Sequence, residues 1–138
     1  MWVTQHSVET SAAPARIWLL WADVANWPEW NGDIERIEIL GPFAAGSTIL
    51  MTPIGDEPIE LRIAEAVEPE LFVDEADLGE IVVRTIHHIR RIDSERAQIT
   101  YRVEITGSDA DSLGPQIGPE ISGDFPETLA KLVRRAES

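Results

Sequence analysis

The residues that could move a proton near neutral pH are a histidine pair, His87 and His88, and the chain's single tyrosine, Tyr101. Adjacent residues in a strand point to opposite faces, so the two histidines cannot share a metal ion. His87 falls in an apolar alternation with Ile81, Val83, Thr85 and Ile89. There an imidazole can hydrogen-bond a ligand or act as a general acid or base. A satisfied core histidine is the plainer alternative. His88 falls with Glu80, Arg84 and Arg90 on the polar face and reads as ordinary surface. Tyr101 lies in the next alternating segment with Ile99, Val103 and Ile105. A two-residue turn near Ser94 would make His87 and Tyr101 near cross-strand neighbours. A phenol and an imidazole in an apolar cavity suit enolisation or aldol chemistry, or the orienting of one polar group of a ligand. A buried, hydrogen-bonded tyrosine is the plainer reading. His87 and Tyr101 are therefore candidates for catalysis, not an assignment. His6 shares a face with Trp2 and Val8, and the sequence does not place it further.

Trp18, Trp21, Trp27 and Trp30 form the other cluster of chemical interest. They could wall or gate a cavity, but anchoring short helices onto a sheet is the favoured reading, since aromatic side chains mainly supply buried area. Trp27 reads as the anchor and Trp30 as partly exposed. Residues 53–80 hold ten acidic residues and one arginine, Arg62. The run Asp74-Glu75-Ala76-Asp77 lacks the Asp-x-Asp-x-Asp-Gly calcium-loop pattern, so these carboxylates are expected on solvated outer faces. Glu65 falls in the apolar alternation of Ile59, Leu61 and Ile63 and could point inward, although a strand-end position explains it as well. Arg84, Arg90 and Arg102 are expected to pair across strands with the acidic segments. No phosphate-binding glycine loop, nucleophile elbow or His-Glu-x-x-His motif is present, so no metal site and no cofactor is expected.

These residues need elements to hold them. Residues 2–9 read as a strand, Thr10 and Ser11 offer capping hydroxyls, and Pro14 suits the first turn of a helix carrying Ile17, Trp18, Leu20 and Trp21. The segment VANWPEWNGD then suggests a short second helix and a turn. Strands are expected at Ile34–Leu40, Ser47–Thr52, Ile59–Ala66, Leu71–Ala76, Glu80–Ile92 and Ala97–Thr106, separated by short Gly/Pro/Asp-rich turns that imply antiparallel hairpins. From Leu113 a helical period returns through Ile117, Ile121, Phe125, Leu129 and Leu132/Val133. A helix from about 113 to 136, kinked at Pro126, is expected; two helical pieces are the alternative.

Composition narrows the function classes. The 138 residues carry 25 acidic against 11 basic side chains, a formal charge of −14. That field repels nucleic acid and disfavours anionic membrane surfaces. Cysteine is absent, so thiolate and disulfide chemistry are excluded. Residues 1–6 lack a basic, then apolar, leader pattern, and the apolar run Ile17–Ala22 is too short to cross a bilayer. A single cytoplasmic domain spanning 1–138, monomeric or homodimeric and without membrane insertion, is the expectation.

The segment SAAPARIWLLWADVANWPEWN, the hairpin-rich middle with its Gly41–Gly46 turn, and the C-terminal DFPETLAKLVRRAE together resemble the START-like, or SRPBCC, superfamily. The nearest resemblance is to its polyketide cyclase/dehydrase-like branch. It implies an α+β helix-grip fold, with a curved antiparallel sheet of about seven strands around a long C-terminal helix. It implies no catalytic residue, because the superfamily shares none. It does imply a ligand cavity between sheet and helix, lined here by Trp30, Leu61, Ile63, Val83, Thr85, His87, Ile99, Tyr101, Val103, Ile117, Ile121 and Phe125. The leading expectation is a small hydrophobic ligand, aromatic or acyl. An aromatase/cyclase-like enzyme is the alternative, and an adaptor dimerising through a sheet edge a third class.

Overall fold

The computed structural model describes residues 1–138. Strand β1 (Trp2–Thr10) is followed by helix α1 (Pro14–Ala22) and a 3-10 helix (Val24–Glu29). Strands β2 (Ile34–Leu40), β3 (Thr48–Pro53), β4 (Ile59–Val67), β5 (Leu71–Asp77), β6 (Val82–Arg91) and β7 (Ala97–Thr106) follow in succession. Helices α2 (Ala110–Ser122) and α3 (Phe125–Glu137) complete the chain. The seven strands form one curved antiparallel sheet ordered β1-β7-β6-β5-β4-β3-β2. The first two strands are thus its opposite edges. α1 and the 3-10 helix carry the chain between them, which is why the tryptophan-rich segment sits against the sheet.

Register fixes which side chains share the helix-covered face. His6, Tyr101, His87 and Phe72 lie opposite one another across four strands. The next row holds Thr4, Val103, Thr85, Asp74 and Ile63. His6 is therefore on the covered face, and His87 and Tyr101 are direct partners. The chain between those two strands is longer than the expected two-residue turn, with Arg91 paired to Ala97. A register shift between Ile63 and Glu65 turns Glu65 to the outer face, where it pairs with Arg84 at 3.1 Å. Bulges of this kind reverse an alternation without a sequence marker. Arg84 also reaches Glu75 at 3.3 Å, and Arg62 meets the same carboxylate at 3.0 Å. Arg90 instead bonds Gln98, and Arg102 bonds Glu104 in its own strand.

Two local expectations are corrected, and of the two alternatives for the bent C-terminal helix the structure takes the second. α1 has no side-chain cap: its N-cap is Ala13, and the Thr10 hydroxyl instead accepts from the Ala12 N–H and donates to Glu137. The C-terminal region bends as two helices that part at Gly123-Asp124, so Pro126 opens α3 rather than kinking one helix. A proline in a first turn loses no intrahelical bond, which makes the break the less costly arrangement. α2 buries Ala110, Gly114 and Gly118, while Leu113, Ile117 and Ile121 are only half-buried beside them. The small residues face Trp2: a Cβ at Gly114 or Gly118 would stand 2.4 or 2.3 Å from its atoms. α2 therefore lies directly on the β1 indole. No helix is long and apolar enough to cross a membrane.

Candidate functional site

The core is continuous under α1, α3 and the edge formed by β1 and β7, where Ile99, Val103, Ile105, Leu129 and Leu132 are fully buried. It opens on the other side of the covered face. A cavity of about 210 Å³ lies there between β2–β6, the 3-10 helix and the C-terminal end of α2. Its wall follows the strands: His87, Thr85 and Val83 along β6; Asp74 and Ala76 along β5, then Leu78 in the turn; Leu61 and Ile59 along β4. Burial falls in the same direction. Asp74 and His87 are 6% and 8% exposed, whereas Leu78 is 51% exposed. The polar groups thus mark the deep end, and the turns joining β3 to β4 and β5 to β6 mark the mouth.

An aromatic stack seals the deep end. The His87 ring lies flat on Phe72, centroids 3.8 Å apart and planes 3° from parallel, with Tyr101 edge-on at 4.6 Å on its other side. Trp21, from α1, packs on both Phe72 and His87, and its Nε1–H donates to the Tyr101 hydroxyl at 3.0 Å. Trp27 Nε1–H donates to the Trp21 carbonyl at 2.9 Å. The tryptophans therefore act as anchors, with every indole donor of this pair satisfied. Trp30 is 5% exposed, not partly exposed as expected, and it is Trp27 that borders the cavity.

His87 Nδ1 lies 3.2 Å from the Phe72 carbonyl. A carbonyl can only accept, so Nδ1 carries the proton and Nε2 presents its lone pair. Burial lowers the His87 pKa to about 3, opposed by that hydrogen bond, so the ring is neutral. Nε2 faces Asp74 Oδ2 at 3.9 Å, too far for a direct hydrogen bond. The Asp74 carboxyl takes no hydrogen bond from the protein, and burial, with the Glu75 charge as a lesser cause, raises its pKa to about 7. A carboxyl that lacks a protein hydrogen bond but opens onto a cavity, with a pKa near neutrality, is the pattern associated with functional sites. Tyr101 is sealed by its neighbours, and burial raises its pKa far above the ordinary value.

Of the expected ligand-binding residues, Leu61, Val83, Thr85, His87 and Ile121 line this cavity. Ile63, Ile99, Tyr101, Val103 and Phe125 are core residues away from it, and Ile117 lies on α2 beside the glycine face. Trp30 borders a separate surface hollow with Lys131 and Arg134. The helix contributes less of the wall than expected because α2 rests on β1 and not over the centre of the sheet. The wall also includes residues outside the expected set: Asp74, the Asn31 amide and Trp27 among the polar and aromatic groups, and Ile34, Met51, Ile59, Ala76 and Leu78 among the apolar ones. Composition alone groups Asp74 with the solvated carboxylates, whereas it stands in the cavity wall. The available signal was its alternation with Phe72 and Ala76, which assigns it to the covered face. Histidine, cysteine and carboxylate side chains form no cluster of three that could hold a metal ion.

No protein-family model matches the chain, and no curated protein matches it. Solved structures do match. Norcoclaurine synthase from Thalictrum flavum, in complex with dopamine and hydroxybenzaldehyde, aligns with a TM-score of 0.75 at 18% identity over 96% of this chain and 84% of that one. A START superfamily protein from Mycobacterium smegmatis aligns with a TM-score of 0.73 at 18% identity over 98% and 97% of the two chains. The di-domain ARO/CYC BexL of the BE-7585A biosynthetic pathway aligns with a TM-score of 0.77 at 14% identity over 99% of this chain, which spans 50% of BexL. At these identities the likeness establishes the fold. The chain shares the helix-grip fold of these structures.

Proposed function

We propose that the chain is a single helix-grip domain that binds a small hydrophobic molecule, aromatic or acyl, with its polar group directed at Asp74 and His87. The observation that carries this reading is the cavity itself: apolar walls, an open mouth, and a deep end where a carboxyl and an imidazole nitrogen lack protein partners. Size narrows the ligand. Drug-sized sites run from about 300 Å³ upward, whereas a cavity of about 150 Å³ holds benzene. At about 210 Å³ the cavity suits one ring or a short acyl chain. A multi-ring molecule could insert only its end. The solved neighbours that bind small aromatic compounds, or are described as ARO/CYC, are consistent with this use of the fold.

A second reading is an aromatase/cyclase-like enzyme. It is favoured by the pairing of an acid whose pKa is near 7 with a neutral imidazole acceptor across 3.9 Å. In that reading His87 keeps its role as base and Asp74 replaces Tyr101 as acid, since Tyr101 does not reach the cavity.

Native mass spectrometry with a panel of single-ring phenols and short-chain acyl compounds tests the binding reading. Ala76→Phe, which places a ring inside the cavity, serves as the blocked form. One-to-one complexes with the unmodified protein that disappear in Ala76→Phe are expected. Absence of any complex, or equal complexes in both forms, contradicts it.

A further inference from the structure

The polar atoms that β5 and β6 present to the cavity are mainly acceptors, while Asn31, after the 3-10 helix, adds an amide whose Oδ1 already accepts from the Asp33 N–H. His87 commits its one N–H to the Phe72 carbonyl, so only the Nε2 lone pair faces inward. Asp74 faces the same space without a protein hydrogen bond, with its Oδ2 3.9 Å from that nitrogen. Thr85 stands directly opposite Asp74 in the β5–β6 ladder and also lines the cavity, which adds a hydroxyl oxygen. We propose that the ligand's polar group is a protonated primary amine, held by the Asp74 carboxylate, His87 Nε2 and the Thr85 hydroxyl. This names the ligand class for the binding reading above and rests on it.

Three arguments converge. An ammonium group has three donors and no acceptor, which matches three inward oxygens and nitrogens. A hydroxyl ligand would satisfy one of them, and a carbonyl ligand could take donors from the Asn31 amide or the Thr85 hydroxyl but would leave Asp74 and His87 Nε2 without a partner. Second, a buried carboxylate is costly unless paired, and no cation faces Asp74 from any element around it. β6 presents neutral His87, and β7 contributes the un-ionised phenol of Tyr101 nearby. β4 presents Leu61 and Ile63, the 3-10 helix presents Trp27, and α2 presents Ile121. Glu75, its neighbour in β5, adds like charge. A cationic ligand is the counter-charge the site is missing. Third, the two turns at the mouth, residues 54–58 and 78–81, carry Asp56, Glu57 and Glu80 and no lysine or arginine, on a chain of net charge −14. That field draws cations to the entrance.

Calorimetric titration with phenethylamine and its neutral counterpart 2-phenylethanol, on the full chain and on Asp74→Asn, tests this. At pH 8 phenethylamine should bind about tenfold or more tightly than the alcohol, the margin of a charge-assisted hydrogen bond. The preference should vanish in Asp74→Asn. In the unsubstituted protein it should shrink as the pH falls from 8 to 6 and Asp74 takes up a proton, a readout that needs no variant. Alcohol binding equal to or tighter than amine binding overturns the amine assignment and leaves the hydrophobic-ligand reading standing. An amine preference that survives Asp74→Asn also overturns it, because surface carboxylates would then be responsible. Binding of neither compound counts against both.

Discussion

The two halves of the sheet's covered face are built by opposite rules. Across β1 and β7 the helix backbone comes down onto the strands, with Gly114 and Gly118 against Trp2 and no room for a methyl group. Across β4 to β6 no helix backbone descends, and the space is left to a cavity bordered by the buried Trp27 of the 3-10 helix and the half-buried Ile121 at the end of α2. The contrast follows from where the chain spends its small residues. Glycines on α2 pull that helix to the β1 edge, and the centre of the sheet is left without a lid. Polar chemistry then collects on the hollow side. The outcome is one rigid wall and one binding wall on a single sheet.

Truncation in the two halves should separate them most. Leu132→Ala, on the packed side, removes a fully buried side chain and should destabilise by about 2–5 kcal/mol. Leu61→Ala, on the cavity wall, should fall at or below the low end of that range, because part of its surface already lacks partners. Urea unfolding of the pair reads the difference, and equal losses would break the comparison. Insertion should show the reverse asymmetry. Gly118→Ala drives a methyl into the Trp2 ring and should lose about 1–3 kcal/mol, whereas Ala76→Val extends into open space and should change stability by less than about 1 kcal/mol.

The hollow side also carries a concealed pH response. Between about pH 4 and pH 6.5 the folded protein holds Asp74 and His87 neutral, while in the unfolded chain, with ordinary pKa values of 3.8 and 6.5, both are charged. The two states bind the same number of protons at this pair, so its contribution to stability is flat there. Each single substitution should expose one slope. Asp74→Asn leaves His87, whose depressed folded pKa makes stability fall as the pH drops below about 6.5 toward 3. His87→Phe leaves Asp74, whose raised folded pKa makes stability fall as the pH rises from about 4 to 7. Either slope is limited to about 1.4 kcal/mol per pH unit. Denaturant midpoints across this range check the signs, and slopes of the same sign in both variants would contradict the account. The smallest effect belongs to the outer surface. Arg84→Ala removes pairs to Glu65 and Glu75 that are partly open to solvent and should cost less than about 1 kcal/mol, shrinking further in salt.

How far these features can be read from the sequence differs between the halves as well. The alternation of β6 and β7 is regular, so His87 and Tyr101 could be placed on one face and in neighbouring strands before any coordinates. β5 is buried on both faces around Phe72, Val73 and Asp74, which masks the period that would have turned Asp74 inward. Glu65 is misread for a different reason: the shift after Ile63 inverts the strand and leaves no mark in residue type. On α2 the apolar stripe Leu113, Ile117, Ile121 outweighs the smaller signal of Ala110, Gly114 and Gly118 at the same spacing. The partner that makes those glycines decisive, Trp2, is more than a hundred residues away in the chain.

The central claim is that ligand enters the hollow half and leaves the packed half untouched. Amide chemical-shift mapping during titration with phenethylamine and with 2-phenylethanol tests it directly. The account predicts saturable shifts at Leu61, Asp74, Ala76, Val83 and His87, with Trp2, Gly114 and Gly118 unmoved. Shifts centred on β1 and α2, or none at millimolar concentrations of either compound, would contradict it.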